Sequence, residues 1–265
     1  MHRISPARKC LLFLAALTLH GFGQLCSAQE ITVAAAADLQ FAMPDLAARF
    51  QKETGQQVKF VYGSSGNFAQ QLQNGAPFDM FFSANLDYPR QLEAAGLTEP
   101  GTLYQYAKGR IVIWVPKHSA LDLNLGLKAL LDPSVKKIAI ANPEHAPYGK
   151  AAVAAMQKEG IYDRVKDKLV LGENISQAAS FVVSGAADTG IVALSLAQSP
   201  TMKEQGRYAE VAAGDYPPID QACVILRSSK NKQIAQQFLA FIRSSAVGDV
   251  LRSYGFDMPS EAGGK

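Results

Sequence analysis

Val58-Lys59-Phe60-Val61-Tyr62-Gly63-Ser64-Ser65-Gly66-Asn67-Phe68-Ala69-Gln70-Gln71-Leu72 is the stretch on which the fold turns. A short apolar run from Val58 to Tyr62 reads as a strand, Gly63 to Gly66 as a tight turn, and Phe68, Ala69 and Leu72 open a helix. The same succession precedes it. Ile31 to Ala36 is a strand, followed by a helix whose Leu39, Ala42, Leu46 and Phe50 recur at helical spacing until Gly55 stops it. It also follows, with Pro77 to Phe82 as a strand and Asp87 to Ala95 as a helix. Repeated strand-helix units predict a mostly parallel sheet covered on both faces.

A new unit begins at Arg110. Ile111 to Val115, Ile138 to Ala141, Leu169 to Leu171 and Gly190 to Val192 read as strands. Between them lie helices over Lys150 to Lys158 and around Ala178, Phe181 and Val182. Gly214 to Pro218 is dense in turn formers, and Ala222 to Leu226 is a further strand before closing helices at Ile234 to Ile242 and Val247 to Tyr254. The layout predicts an α/β protein of two lobes, residues 29–109 plus 219–265 and residues 110–218. The cleft between them is the expected ligand site.

The chain has 265 residues and a formal charge of +3, from 26 Lys plus Arg against 23 Asp plus Glu. Arg3, Arg8 and Lys9 account for the whole excess, because residues 1–28 hold no acidic group. A neutral body argues against an electrostatic nucleic-acid or anionic-membrane binder. Those three cations, the apolar run Leu11 to Leu19 and the small residues Ser27-Ala28 make 1–28 a cleavable export signal, and the mature protein periplasmic or extracytoplasmic. Cys26 raises a lipid-attachment reading, which the bulky Leu25 before it opposes. Beyond the signal Cys223 stands alone in an apolar run, a buried small hydrophobe with no internal disulfide partner.

Four strand-to-helix turns carry the chemistry: Ala36-Ala37-Asp38, Gly63-Ser64-Ser65-Gly66-Asn67, Ala146-Pro147-Tyr148-Gly149 and Glu173-Asn174-Ile175-Ser176. Each presents unpaired N–H groups at a helix start, with hydroxyls from Ser65 and Tyr148. One such terminus is an ordinary cap, but four divided between two lobes form a neutral cage of donors suited to a small oxyanion. Catalytic alternatives find little support. The nucleophile-elbow pattern fails at Asn67, and Ser134-Val135-Lys136-Lys137 sits in a turn without companion motifs. His118 and His145 have no second His at metal-ligand spacing, and a structural hydrogen bond is the expected role of His145. Trp114, Phe81 and Phe82 read as core.

Ile31-Thr32-Val33-Ala34-Ala35-Ala36, Gly75-Ala76-Pro77-Phe78-Asp79, Asn142-Pro143-Glu144-His145-Ala146-Pro147, Gly190-Ile191-Val192 and Tyr254-Gly255-Phe256 resemble the periplasmic molybdate-binding proteins of ABC transporters. The resemblance spans essentially the whole mature region. It implies a type II periplasmic binding fold that closes on molybdate or tungstate and delivers it to a membrane permease. It further implies a monomer with no cofactor, no enzymatic activity and no metal held directly by side chains. The family's oxyanion contacts fall on Asp38, Ser65, Tyr148 and Ile175, with Ala37 adjacent, and Ile175 would contribute only its N–H. Where some members use a later Tyr, this chain has Ala193, and the phenol of Tyr148 is expected to compensate. The family commonly has Ser or Asn where Asp38 stands. Either Asp38 caps its own helix with the side chain turned away, or the pocket is retuned for another small oxyanion or polar metabolite. A secreted enzyme on the same fold is the remaining alternative.

Overall fold

Short apolar runs separated by amphipathic segments build two five-stranded sheets, each buried beneath helices. The computed structural model describes residues 30–259. The expected export signal, its cleavage site and Cys26 lie outside the described residues. In chain order the strands are β1 (Glu30–Ala36), β2 (Gln57–Gly63), β3 (Met80–Ser83), β4 (Tyr104–Gly109), β5 (Ile111–Pro116), β6 (Ile138–Ala141), β7 (Leu169–Gly172), β8 (Thr189–Ala193), β9 (Gly206–Glu210) and β10 (Ile219–Ile225). The helices are α1 (Ala42–Thr54), α2 (Ser65–Gln73), α3 (Asp87–Ala94), α4 (Pro147–Lys158), α5 (Tyr162–Val165), α6 (Ile175–Val183), α7 (Leu194–Ala197), α8 (Pro200–Gln205), α9 (Lys232–Ile242) and α10 (Ser245–Ser253).

One sheet runs β2-β1-β3-β10-β4 and the other β7-β6-β8-β5-β9. In the first, β10 is antiparallel to both its neighbours, and in the second β5 is. Every other strand of each sheet therefore points the same way. The reversed strand is in each case the one that enters from the opposite sheet. Gly109 ends β4 and Ile111 begins β5 with only Arg110 between, and β10 returns just after the turn at Ala213–Asp215. The direct crossing leaves no room for a helix to turn the chain around.

Two edge strands, β4 and β9, carry too many polar residues to have been predicted from apolar runs. The expected helix at Leu39 is a 3₁₀ turn, Ala37–Leu39, separated from α1, which begins at Ala42. α4 likewise starts earlier than expected, with Pro147 in its first turn. Pro suits that place because its φ is already helical and its missing N–H is one the helix would not use.

The core of the first lobe centres on Phe238, whose ring lies 5.1 Å from Phe50 and 6.0 Å from Phe82. Phe81, the next residue along β3, points to the other face and packs with Phe68 and Leu92. Trp114 anchors the second lobe, fully buried, and donates its indole N–H to the Met202 carbonyl at 3.2 Å. Cys223 is buried, as its apolar run implied.

Candidate functional site

Register alone brings the four turns into two pairs. Ala36 at the end of β1 pairs with Gly63 at the end of β2, so Ala37-Asp38 and Ser64-Ser65 leave the sheet side by side. Ala141 pairs with Gly172, which does the same for the loops entering α4 and α6. These are carboxyl ends of parallel strands, where open α/β sheets place their ligands. The two pairs face each other across the lobes and line one small pocket of about 200 Å³, its opening included. Ala37, Asp38, Ser65, Tyr148 and Ile175 all line it. So do Ser64, Ala84, Ala146 and Asn174, and no Lys, Arg or His is among its lining residues. A larger hollow of about 1060 Å³ near His118 and Ser134 gathers no such set of helix starts. Convergence, not volume, distinguishes the site.

Its donors are first-turn amides and one hydroxyl. Ser65, Tyr148 and Ile175 fall within the first two positions of α2, α4 and α6, whose N–H groups have no carbonyl four residues back to bond. Ser65 Oγ accepts the Ala84 N–H at 2.9 Å, which leaves its proton free to donate. Asn174 takes up the two following amides of α6 instead: its Oδ1 accepts from Ser176 N at 3.0 Å and Gln177 N at 3.1 Å. We expect Asn174→Ala to cost about 1 kcal/mol of stability, the usual worth of an N-cap, measured by urea unfolding.

Asp38 does not cap a helix. The 3₁₀ turn it sits in has no side-chain cap, and Asp38 is 1% exposed. Its Oδ2 accepts two hydrogen bonds, from the Tyr148 hydroxyl at 2.9 Å and from Gln221 Nε2 at 2.6 Å. Gln221 Nε2 also lies 3.0 Å from the Tyr148 oxygen, and Tyr106 donates its hydroxyl to Gln221 Oε1 at 2.8 Å. Tyr106 thereby sets which end of the Gln221 amide faces Asp38. Asp38 Oδ1 has no partner. Burial raises the carboxyl pKa from 3.8 to about 6, although the bonds from Gln221 and Tyr148 pull it down. Burial, and then the Asp38 charge, hold both tyrosine hydroxyls well above their usual range, so they stay protonated donors.

The phenol of Tyr148 is thus spent on Asp38 and does not stand in for the hydroxyl missing at Ala193, a buried residue of β8. What Tyr148 offers the pocket is its backbone N–H. Gln221 was not anticipated. The signal for it was an amide immediately before the apolar run Ala222 to Leu226, since a polar side chain buried in that strand needs partners.

Further bonds tie the lobes together around the pocket. Gly66 N donates to the His145 carbonyl at 2.9 Å, and Ser64 Oγ to the same oxygen at 2.6 Å. Ser64 Oγ is 2.9 Å from His145 Nδ1, which gives His145 the structural hydrogen bond expected of it. Ser195 Oγ donates to the Asp38 carbonyl at 2.8 Å, Ser176 Oγ to Gln40 Oε1 at 2.8 Å, and Asn67 to Glu173.

Residues 31–257 match the family described as bacterial extracellular solute-binding proteins. Over 235 residues the chain is 37% identical to the molybdate-binding protein ModA of Azotobacter vinelandii, covering 88% of this chain and 92% of that protein. It is 34% identical over 236 residues to ModA of Rhodobacter capsulatus, covering 89% and 91%. Among solved structures, the periplasmic molybdate-binding protein of Azotobacter vinelandii aligns with a TM-score of 0.82 at 34% identity, covering 87% of this chain and 100% of that one.

Proposed function

The chain belongs to the bacterial extracellular solute-binding proteins, among the periplasmic molybdate-binding proteins of ABC transporters, and from that premise we propose that it captures the molybdate dianion between its lobes. It is a binding protein and not an enzyme, as its relatives are. The observation that carries the ligand reading is the convergence of four helix and turn starts, two from each lobe, on one pocket lined by no cationic side chain. Oriented amides and the Ser65 hydroxyl satisfy oxyanion oxygens without leaving a buried charge when the ligand departs. We take Ala37, Asp38, Ser65, Tyr148 and Ile175 as the contacts. They touch oxygens, and the metal stays inside its own oxygen shell.

Capture proceeds by closure about two crossings, Gly109 to Ile111 and the segment before Ile219, with lobes of residues 29–109 plus 219–265 and 110–218. The bonds from Gly66 and Ser64 to His145 form as the lobes meet, and the closed shape is what a permease recognises. Tungstate has the same shape and charge and shares the site. The protein acts outside the cytoplasm as a monomer and, with no net charge beyond residue 28, binds no nucleic acid.

Calorimetric and thermal-shift titration test this. Molybdate at about 100 times its Kd should stabilise the protein by roughly 2.7 kcal/mol, about 5–10 °C for a chain of this size. No shift with molybdate or tungstate, beside a clear one with an organic solute, overturns the reading.

A further inference from the structure

Among the described residues three buried side-chain atoms have no hydrogen-bond partner: Asp38 Oδ1, Gln56 Oε1 and Tyr62 Oη. Only the first belongs to a residue lining the interlobe pocket. The network around it has a definite polarity. Tyr106 gives its proton to Gln221, Gln221 gives one to Asp38, and Tyr148 gives its own to the same carboxylate oxygen, Oδ2. With two donors already aimed at Oδ2, a proton added to the carboxyl group has its place on Oδ1. Among the described residues no cation offsets the carboxylate. The titratable groups that act on it are Tyr148 from α4 and Tyr106 from β4, both neutral donors. α6 and α7, which pack against the 3₁₀ turn, carry no ionisable residue, and β2 brings only Tyr62 and the exposed Lys59.

An anion entering the pocket is held beside Asp38, whose carboxylate carries the unpartnered oxygen. Unprotonated, that oxygen repels the ligand. Protonated, it becomes one more donor of the kind the rest of the pocket supplies.

We propose that Asp38 makes oxyanion capture proton-coupled, each anion entering the closed site together with one proton held between Asp38 Oδ1 and a ligand oxygen. The balance is simple: a carboxylate, a dianion and one solvent proton become a complex in which a single O–H···O bond replaces two facing negative oxygens. No other bond forms or breaks. The inference rests on the oxyanion reading of the pocket and adds to it a pH dependence that a purely amide-lined site would lack. Because burial raises the enclosed carboxyl only to about 6, it is ionised at neutral pH and above unless a proton enters with the anion.

Isothermal titration of the mature protein with sodium molybdate, from about pH 6.5 to 8.5 in two buffers of different ionisation enthalpy, tests it. One-proton linkage sets the expected result at roughly tenfold weaker Kd per pH unit, with about one proton taken up per molybdate. Asp38→Asn keeps an oxygen for Tyr148 and Gln221 and puts an N–H₂ donor in place of Oδ1. We expect that variant to bind with a Kd independent of pH and no proton uptake, as tightly at the alkaline end as the wild type does at the acid end. A flat wild-type Kd with no uptake overturns the inference and leaves the oxyanion reading standing. A pH dependence that persists in Asp38→Asn overturns its assignment to Asp38. No heat with molybdate for either protein at any pH overturns both readings.

Discussion

Gly66→Ala is expected to leave both lobes folded while weakening molybdate binding by about a hundredfold. Gly66 is the second residue of α2 and has an ordinary backbone conformation, so alanine there suits the helix and favours it by up to about 1 kcal/mol. Its obstacle lies on the other lobe. A Cβ at this position would stand 2.5 Å from the His145 carbonyl oxygen and 3.0 Å from the His145 Cα, both backbone atoms. The Tyr88 hydroxyl at 2.9 Å is the end of a side chain and can swing aside. His145 cannot, because the obstructing atoms are backbone and lead directly into Ala146 and α4. Relief requires the lobes to part by roughly an ångström, which breaks the Gly66 N–H bond and withdraws the Tyr148 amide from the pocket. Overpacking of this kind costs about 1–3 kcal/mol and the lost bond about 1 more, together near 3 kcal/mol or about two decades in Kd. The open form bears none of it. Calorimetry of the variant beside its ligand-free melting temperature separates the two effects. Unchanged affinity would show that the ligand is not held in the arrangement in which Gly66 touches His145.

The turns that build this site were legible because each is local. Gly63-Ser64-Ser65-Gly66 announces a strand-to-helix turn by composition, and β1 and β2 are legible from their apolar runs. That the turns meet follows from parallel register, which a strand-helix repeat already implies. What the residues did not disclose is which side chains would find each other. Asp38 and Gln221 are 183 positions apart, and Asp38 and Tyr148 are 110. No local propensity encodes those distances. The capping reading of Asp38 rested on the usual behaviour of an aspartate at a helix start. Here the first turn is 3₁₀ and displaced from α1, so the carboxylate faces the lobe interface and its partners come from α4 and β10. The edge strands β4 and β9 escaped for a different reason: only alternate residues of an edge strand need be apolar, and Tyr104-Gln105 and Gly206-Arg207 open with polar or small ones.

The ligand-free protein is also expected to be less stable at neutral pH than in mild acid because of Asp38, and Asp38→Asn should remove that loss. The folded pKa, about 6, lies above the unfolded value of 3.8. Between these two values the folded state holds a proton that the unfolded chain has released, so stability falls with rising pH across that window. The contribution is complete below about pH 4 and gone above about pH 6. A shift of about two units corresponds to roughly 3 kcal/mol at full burial. Gln221 and Tyr106 sit on the same sheet as Asp38, so their part of the enclosure persists when the lobes separate, whereas the part due to Tyr148 depends on closure. The expected gain for Asp38→Asn above pH 7 is therefore up to about 3 kcal/mol, or roughly 6–12 °C in Tm for a chain of this size. Other carboxylates titrate in the same range, and the quantity to read is the wild-type-minus-variant difference from thermal unfolding at about pH 4 to 8. A difference that does not change with pH, or a variant less stable throughout, would mean that the carboxylate is not held in the buried state described.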